Sequence, residues 1–303
     1  MPSNAIQPIS DIERQRIRIA LVEDGGREDV TSLATIQETA EGLGTFIAKG
    51  NGIVAGLDIA RHTFSLYEVL HGIPSPIFEC KAMMSDGDRV QAGDSLGTLR
   101  ARLRTLLAAE RVTLNFLQRM SGIATMTRAF VDAVAGTDAV ILDTRKTAPL
   151  LRPFDRQAVR AGGGTNHRYG LGDMVLIKDN HIAANDGDIE NVILKVKDFF
   201  ADPERARVPI EIEVTSLSEF ERVLRFGTGI IDRVMFDNFE IELLREAVTM
   251  NHGAFETEAS GGITLETIRA VAETGVNFIS VGALTHSVRA LDISFEIMPM
   301  PSG

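Results

Sequence analysis

The sequence has one cysteine, no long apolar run and no excess of positive charge. Cys80 is the single cysteine among 303 residues, which excludes an intrachain disulfide and a cysteine-rich metal site. This cysteine content is typical of a protein from a reducing cytoplasm. No apolar run approaches the roughly 18 residues of a membrane helix, and residues 1–26 lack the continuous apolar segment of a signal peptide. We therefore expect a cytoplasmic protein without a membrane partner.

The overall charge argues against a further class of partner. The chain has 42 aspartates and glutamates against 31 lysines and arginines, which gives a formal net charge of −11. Nucleic acids bind basic surfaces, because these neutralise the phosphate backbone, so no nucleic-acid partner is expected. With 44% hydrophobic residues, the chain can form a large core in one or two domains.

The pattern of apolar residues changes along the chain. A capping box of Ser10 and Glu13 predicts a helix start, short strands and turns are predicted over residues 40–100, and a helix over residues 101–134. From about residue 139, short apolar runs such as AVILDT, MVLIKDN and RVMFDN alternate with helical stretches. This alternation predicts a parallel sheet. Six or more such units favour a TIM-like α/β barrel, while spacing alone leaves an open sheet as the alternative.

Polar residues or glycines end almost every predicted strand of this second region. In TIM barrels the carboxyl ends of the strands form the site, and phosphate is often held after the last two strands. The glycine-bearing strand ends here, ASGGIT and SVGALT, are the last two along the chain. This order is typical of a barrel that binds a phosphate-bearing ligand.

A cluster of cations follows the first predicted strands of the barrel. Residues 141–178 contain seven lysines and arginines against three acids, a local charge of +4 in an acidic chain. Arg145, Lys146 and Lys178 directly follow apolar strands, and Arg168 follows a triple glycine, where the backbone can approach a ligand closely. Guanidinium groups bind carboxylates and phosphates in a bidentate manner, and lysines supply compact charges. The pattern predicts a ligand with several negative charges.

The alternative interpretation of these cations is a solvated basic face with some ion pairs, since most lysines and arginines are exposed. Arg156 and Arg160 fit this alternative best, because they lie at helical spacing in FDRQAVRAGGG.

Acidic residues mark the next two predicted strands. Glu211 and Glu213 alternate in IEIEV, so both side chains point to one face, and Asp237 ends the following strand. Carboxylates inside a barrel are costly unless they pair, bind a metal or accept hydrogen bonds from hydroxyls. Mg²⁺ or a sugar would satisfy them, and a network of ion pairs across the barrel is the alternative.

Eight segments in one order give the chain a resemblance to a known family. The segments are ERVTLNFLQRMSGIAT, ILDTRKT, AGGGTNHR, VLIKDNHI, IEIEV, FDN, EASGGI and VGALTHS. Together they resemble quinolinate phosphoribosyltransferase from about Leu21 to Ile297. The resemblance implies an enzyme of NAD biosynthesis that makes nicotinate mononucleotide from quinolinate and phosphoribosyl pyrophosphate, releasing pyrophosphate and carbon dioxide. It also implies Mg²⁺ as cofactor and a homodimer with shared active sites, with a higher oligomer left open.

The resemblance further implies an N-terminal α/β sandwich joined to an incomplete TIM-like α/β barrel. The sandwich is expected at residues 1–118, with the C-terminal tail 290–303 as a candidate to return to it. The barrel, which holds the active site, is expected at residues 119–289.

Matching positions imply the roles of single residues. The expected substrate-binding residues are Thr144, Arg145, Lys146, His167, Arg168, Lys178, Glu213 and Asp237, together with Arg111 from the partner subunit. Lys146, Glu213 and Asp237 are also the catalytic candidates, and the last two are expected to meet the ribose hydroxyls and Mg²⁺. Phosphate is expected at the backbone N–H groups of Ser260, Gly261, Gly262, Gly282, Ala283 and Leu284. Glu213 fits the family's position better than Glu211.

Three positions depart from the family's motifs. Ala148 and Leu150 stand where the family usually has a hydroxyl and a glycine, and Thr165 stands where it often has a histidine. None of the three is an expected cation. A related phosphoribosyltransferase that acts on nicotinate or another acid therefore stays the alternative.

A non-enzymatic alternative comes from SDGDRVQAGDSLGTLR, whose paired Gly-Asp turns resemble a biotinyl or lipoyl carrier hairpin. Such a carrier needs a lysine at an exposed hairpin tip, and no such tip follows at the carrier spacing. We predict a structural hairpin in the N-terminal domain instead.

Overall fold

The computed structural model of the chain describes residues 8–25, 29–73 and 79–301, apart from the side chains of Glu79, Cys80 and Ala82. Contacts divide the described residues into two compact units. The first unit comprises the described residues within Met1–Arg128, Thr147–Gly163 and Leu284–Gly303. The second unit comprises Ala129–Lys146 and Gly164–Ala283. Because this division follows contacts in space and crosses the chain repeatedly, the predicted boundary between residues 118 and 119 stays a prediction.

The elements follow one another in a simple order. The chain first forms α1 (Asp11–Glu23), α2 (Val30–Thr35), β1 (Glu41–Ala48), β2 (Gly52–Ile53), α3 (Leu57–His71), β3 (Glu79–Ala82), β4 (Arg89–Val90), β5 (Ser95–Arg102) and α4 (Leu103–Ala133). It continues with β6 (Val140–Leu142), α5 (Arg152–Ala161), β7 (Val175–Ile177), α6 (Asp179–Ala183), α7 (Ile189–Phe199), β8 (Ile210–Val214), α8 (Leu217–Phe226), β9 (Arg233–Asp237), α9 (Ile241–Asn251), β10 (Glu256–Ser260), α10 (Ile268–Ala272), β11 (Phe278–Ser280), α11 (Ala283–His286) and β12 (Ile293–Pro299).

The first unit is an α/β sandwich. Its four-stranded sheet has the order β12-β1-β5-β3, and alternate residues of β1 are buried, as in a strand with one covered face. Phe46 of β1 lies opposite Phe295 of β12, with ring centroids 4.4 Å apart, and Phe64 of α3 packs 5.5 Å from the Phe295 ring. Gly44 admits this ring, because a Cβ at that position would lie 2.0 Å from it. The predicted sandwich is confirmed.

Local sequence signals place the helix ends. At the start of α1, the Glu13 N–H donates to Ser10 Oγ at 3.3 Å and the Ser10 N–H donates to Glu13 Oε2 at 2.7 Å, which confirms the predicted capping box. The helix predicted over residues 101–134 is α4, which begins at Leu103 because β5 extends to Arg102. Although α4 has 31 residues, neither it nor any other described helix is long and apolar enough to cross a membrane.

The two Gly-Asp turns between residues 85 and 94 do not form a hairpin of their own. Asp88 Oδ2 accepts from the Ser85 N–H and Asp94 Oδ2 accepts from the Gln91 N–H, each at 2.8 Å, so each turn is closed by its own aspartate. Strand β4, between the turns, pairs with β2, whereas β5 pairs with β1 and β3. The prediction of one hairpin over this segment is therefore wrong, because the two turns direct their strands to different sheets.

The second unit is an incomplete parallel barrel. Its six strands have the order β6-β11-β10-β9-β8-β7, so strands β7 to β11 lie in chain order and the first strand pairs with the last. This order is that of a barrel, whereas an open doubly wound sheet reverses its strand order. Strands β6 and β7 end the described sheet, and Thr165 forms a single parallel bridge to Leu142 beside β6. The barrel prediction is confirmed.

Strand β8 shows how the barrel combines an apolar core with a charged interior. All five of its residues are buried, as expected where both faces of a parallel sheet are covered. Ile212 alternates with Glu211 and Glu213, so the two carboxylates share the opposite face from Ile212. Charged groups therefore lie within the covered part of the barrel.

Candidate active site

One pocket of about 440 Å³ lies where the barrel strands end. Its lining comes from the ends of all six strands and from the segment between β6 and β7. The lining residues are Thr144, Arg145, Lys146, His167, Arg168, Leu176, Lys178, Glu213, Met235, Asp237, Glu258, Ser260 and Ser280. The strand ends meet around one pocket, so the cations after β6 and β7 share it with the carboxylates of β8 and β9.

The pocket brings together most of the side chains predicted from sequence. It is lined by the predicted cations of the barrel and by both predicted carboxylates. It is also lined by His167, Thr144 and Ser260. The predicted residues that do not line it are Arg111, Gly261, Gly262, Gly282, Ala283 and Leu284. Arg156 and Arg160, expected on a solvated helix, lie on α5 in the first unit and also do not line the pocket.

The glycines after β10 form a tight backbone turn. Gly261 and Gly262 have φ angles of +92° and +61°, a region that side chains other than glycine rarely adopt. A Cβ on Gly261 would lie 2.2 Å from Asn238 Oδ1, and the Asn238 N–H donates to the Ser260 carbonyl at 2.8 Å. The turn that carries the predicted phosphate-binding amides is thus fixed against the end of β9.

The second predicted phosphate segment follows β11. Gly282 and Ala283 end the second unit, and Leu284 begins the last part of the first unit. The Leu284 side chain is fully buried, so a phosphate contact there would have to use its backbone.

Arg111 lies on α4 in the first unit, with its side chain exposed. Leu107, one turn before it, and Asn115, one turn after it, are exposed on the same face of the helix. Arg111 therefore presents its charge away from the core of its own unit.

Lys178 and Glu213 form an ion pair in the pocket. Glu213 is nearly buried, whereas Lys178 stays partly exposed. The neighbouring Asp237 accepts a hydrogen bond from Asn238 Nδ2 at 2.7 Å. This single ion pair joins the neighbouring strands β7 and β8, inside the same pocket as the predicted ligand-binding residues.

A second charged cluster centres on His167 and forms part of the buried wall of the pocket. Its Nε2 lies 3.1 Å from Glu211 Oε2 and 3.5 Å from Glu258 Oε2, and both carboxylates are fully buried. Arg233 Nη1 donates to Glu258 Oε2 at 3.1 Å. On its other side, His167 Nδ1 accepts from the Arg168 N–H at 2.7 Å. The protein therefore engages both nitrogens of the His167 ring.

The charges of this cluster shift one another's pKa values. Burial lowers the pKa of His167, but its hydrogen bonds to Glu211 and Glu258 and their negative charges outweigh burial and raise it to about 9. Burial, together with the Glu258 charge, raises the pKa of Glu211 to about 7. Burial would also raise the pKa of Glu258, but His167, Ser280 and Arg233 lower it instead. A doubly protonated imidazole has no acceptor, so the Arg168 N–H bond opposes the second protonation that the carboxylates favour.

Asp143 fixes the segment that carries His167 and Arg168. Its Oδ1 accepts from the His167 N–H and its Oδ2 from Asn166 Nδ2, both at 2.7 Å, and the side chain is fully buried. The backbone of Thr165 adds two bonds, to Ile141 and Asp143. Because Thr165 bonds through its backbone and its side chain is exposed, the departure from the family's histidine leaves this anchor intact.

Sequence reasoning missed four residues of the pocket: Leu176, Met235, Glu258 and Ser280. Glu258 had a usable signal, since ETEAS places it two residues before Ser260 on one face of the strand. Leu176 and Met235 had none, because an apolar residue in a strand is far more often part of the core.

Two groups of side chains offer donor atoms for a divalent cation. In the part of the chain that the structure describes, His167, Glu211 and Glu258 are the one group of three donors within reach of a single ion. We assign no metal to them, because Arg233 already places a positive charge against Glu258. Glu213 and Asp237 offer two carboxylates at the pocket, which is what Mg²⁺ uses when substrate phosphates complete its coordination.

Comparison with known proteins agrees with this geometry. The family model for the N-terminal domain of quinolinate phosphoribosyl transferase matches residues 29–121, and the model for its C-terminal domain matches residues 123–296. The chain is 45% identical over 294 residues to a chloroplastic nicotinate-nucleotide pyrophosphorylase [carboxylating] of Oryza sativa, covering 93% of this chain and 76% of that protein. It is 42% identical to the corresponding protein of Mycobacterium leprae, covering 95% of this chain and 98% of that protein.

Solved structures show the same relationship. The crystal structure of NadC from Streptococcus pyogenes superposes with a TM-score of 0.88 at 33% identity, covering 97% of this chain and 100% of that chain. Human nicotinic acid phosphoribosyltransferase, at 10% identity and a TM-score of 0.59, shares the fold alone. The chain belongs to the quinolinate phosphoribosyltransferase family.

Proposed function

We propose that this chain transfers the phosphoribosyl group of phosphoribosyl pyrophosphate to quinolinate, with decarboxylation. The products are nicotinate mononucleotide, pyrophosphate and carbon dioxide, and the reaction serves NAD biosynthesis. The observation that carries the proposal is the pocket itself, where four cations lie beside the carboxylates of Glu213 and Asp237, with Glu258 buried behind them, in a chain of this family. A dicarboxylate and a sugar phosphate need these two kinds of partner.

The quinolinate half of the pocket is assigned to Arg145, Lys146, Arg168 and Lys178. Arginine suits a carboxylate through its planar pair of donors, and lysine through a compact charge. Two carboxylates on adjacent ring carbons require several such partners in a small space. Thr144 lies at the same strand end and accepts from the Lys146 N–H at 3.2 Å, which helps to fix this segment.

The phosphoribosyl half is assigned to the neighbouring strands. Glu213 and Asp237 would accept from the ribose hydroxyls, and the amides from Ser260 to Gly262 and from Gly282 to Leu284 would hold phosphate. Mg²⁺, held by Glu213 and Asp237, would supply positive charge to the pyrophosphate oxygens. The fixed turn at Gly261 supports this role, because backbone N–H groups in such turns suit anions.

The chemistry requires charge stabilisation more than a reactive side chain. The bond between ribose C1 and the pyrophosphate oxygen breaks, and the quinolinate nitrogen forms a bond to that carbon. The resulting pyridinium stabilises the electron pair left at C2 when carbon dioxide departs, and C2 is then protonated. Lys146, Glu213 and Asp237 contribute by orientation and by charge next to the reacting atoms.

We further propose a homodimer in which Arg111 reaches the pocket of the partner subunit. The exposed face of Leu107, Arg111 and Asn115 on α4 supports this assignment, since it leaves a charged and an apolar residue without cover from their own unit. A higher oligomer is compatible with it. The single cysteine is the basis for the proposed cytoplasmic location. The relatives do not support it, since the names of plant relatives include chloroplastic and mitochondrial proteins.

The discriminating experiment compares quinolinate with nicotinate at saturating phosphoribosyl pyrophosphate. Nicotinate lacks the 2-carboxylate and would leave a cation without its partner, which costs about 3–5 kcal/mol in a buried site. The pocket keeps more water when the carboxylate is absent, so we expect the lower end, about a hundredfold lower kcat/KM for nicotinate. Equal values for the two acids would overturn the assignment to quinolinate.

A further inference from the structure

We propose that Glu258 and Glu211 are positioning residues for quinolinate, and that they act on Arg168 through the His167 ring. The inference rests on the proposed function and adds to it a second layer of residues. Glu258 lines the pocket, but its carboxylate is negative, fully buried and paired with Arg233, so it does not serve as a direct ligand for an anionic substrate.

The first step is the position of the His167 ring. Its Nδ1 accepts the Arg168 N–H at 2.7 Å, and its Nε2 faces Glu211 Oε2 at 3.1 Å and Glu258 Oε2 at 3.5 Å. The ring therefore lies between the buried carboxylates and the Arg168 backbone, and it links the two.

The second step is the rigidity of the carboxylate end. Arg233 donates to Glu258 at 3.1 Å and to Glu256 Oε2 at 3.0 Å, and its guanidinium lies 3.8 Å from the centroid of the Phe278 ring. The Arg233 guanidinium, on β9, thus contacts residues of both β10 and β11, and these contacts fix its position beside Glu258. A carboxylate fixed on this scaffold fixes the orientation of the ring that it contacts.

The third step is the place of Arg168. Its guanidinium donates from Nη1 to the Met174 carbonyl at 3.1 Å, and its backbone N–H is held by His167. The preceding residue is held by Asp143. The position of this guanidinium in the pocket therefore depends on the His167 ring, and a planar fork binds a carboxylate well only in the correct orientation.

The variants that test this are Glu258→Gln and Glu211→Gln, which keep the shape of the side chain and remove its charge. Calorimetric titration of quinolinate into the full-length protein should show about tenfold weaker binding for Glu258→Gln, because a neutral acceptor holds the ring less firmly than a carboxylate. The KM for phosphoribosyl pyrophosphate should stay within about twofold of the wild-type value. If Glu258→Gln does not fold, as judged by its melting curve, Glu211→Gln tests the same link from β8.

Glu256→Gln is the matched control. It removes the other carboxylate of Arg233 on the same strand, and it does not contact His167. Quinolinate binding should be unchanged in this variant. Equal weakening by Glu256→Gln and Glu258→Gln would show that Arg233 or general stability is responsible, and it would overturn the proposal.

A double-mutant cycle tests whether the effect passes through Arg168. In an Arg168→Ala background, Glu258→Gln should weaken quinolinate binding by less than about twofold, because the side chain that it positions is absent. Additive losses would contradict the link. If the wild type and Glu258→Gln bind quinolinate equally tightly, the positioning role is overturned and the proposed function is not. A wild-type protein that neither binds quinolinate nor turns it over overturns the proposed function, and the positioning role with it.

Discussion

Arg119 and Asp155 form a bidentate ion pair in the first unit. Nε and Nη2 of Arg119 donate to the two carboxylate oxygens of Asp155, each at 2.8 Å, and the Asp155 side chain is fully buried. Arg119 Nη2 also donates to the Thr285 carbonyl at 3.3 Å. The pair thus connects α4, α5 and the end of α11, which are far apart in the sequence.

Removing one partner of this pair should destabilise the protein strongly. Asp155→Ala leaves the Arg119 guanidinium without its carboxylate partner, and because Arg119 is partly exposed and keeps the Thr285 carbonyl, we expect about 3 kcal/mol, the lower end of the range for such a loss, in the free energy of unfolding. Urea unfolding measures it. Exposed pairs such as Arg207 and Asp232 serve as the comparison, since Asp232→Ala removes a pair in which both side chains are substantially exposed. A loss below about 1 kcal/mol for Asp155→Ala would contradict the expected role.

Glu68 should make stability depend on pH. Its Oε1 accepts from Thr105 Oγ1 at 3.2 Å, and within the described residues its buried Oε2 has no hydrogen-bond partner. Burial raises the pKa of Glu68 above its ordinary value of 4.5, against the lowering effects of Thr105 and Arg102. The folded state therefore binds the proton more tightly than the unfolded state, and stability falls as pH rises from about 4.5 through the folded pKa.

Glu68→Gln removes this titration. The variant should be more stable than the wild type at pH 7, and its advantage should disappear as the pH falls below 4.5, where Glu68 is protonated in both states. Thermal melting at a series of pH values measures the difference. An advantage that is the same at all pH values would show that burial of the charge is not its cause.

Leu150 adopts a backbone conformation that disfavours leucine. Its φ is +66°, and 62% of its surface is exposed, so it has little packing to offset the strain. A left-handed residue other than glycine costs roughly 1–2 kcal/mol, while glycine loses about 0.5–1 kcal/mol through the entropy of the unfolded chain. We expect Leu150→Gly to stabilise the protein by up to about 1 kcal/mol in urea unfolding.

The control for Leu150→Gly is its neighbour. Leu151 has a φ of −94°, so Leu151→Gly relieves no strain and should destabilise. If both substitutions destabilise equally, the backbone conformation at Leu150 is not what limits stability there.

Much of the pocket was predictable from the sequence. The cations and acids at the ends of apolar runs must lie at one edge of a parallel barrel, and the family's motifs indicated the same residues. Arg145, Lys178 and Asp237 were found this way. The pairing of Lys178 with Glu213, and of His167 with Glu258, was not predictable, since it depends on which strands become neighbours. The Gly-Asp turns were misread as one hairpin for the same reason: a turn signal fixes local direction and leaves the partner strand open.

The proposed shared site predicts recovery of activity in hybrid dimers. Arg111→Ala and Arg168→Ala should each be inactive or nearly so. Mixed, refolded dimers should regain about a quarter of wild-type activity, because about half of them are hybrids with one intact site of two. A mixture of Arg111→Ala with the double variant Arg111→Ala/Arg168→Ala is the control and should regain nothing. If hybrid dimers form and no activity returns, Arg111 does not act in the partner's pocket.

Glu213 and Asp237 should affect the phosphoribosyl half of the reaction more than quinolinate binding. They lie near the carboxyl ends of β8 and β9, in the same pocket as the cations that follow β6 and β7, and Glu213 pairs with Lys178. Asp237→Ala should lower kcat by about a hundredfold or more, since an acceptor beside the developing charge is lost, and should leave quinolinate affinity within about threefold. Glu213→Ala should also lower kcat, but it releases Lys178, so quinolinate affinity should hold or increase. Arg168→Ala is the comparison, with its expected loss in quinolinate affinity. Calorimetry of quinolinate with each variant decides the matter, and a loss of affinity in Asp237→Ala as large as that in Arg168→Ala would place Asp237 in the wrong half of the pocket.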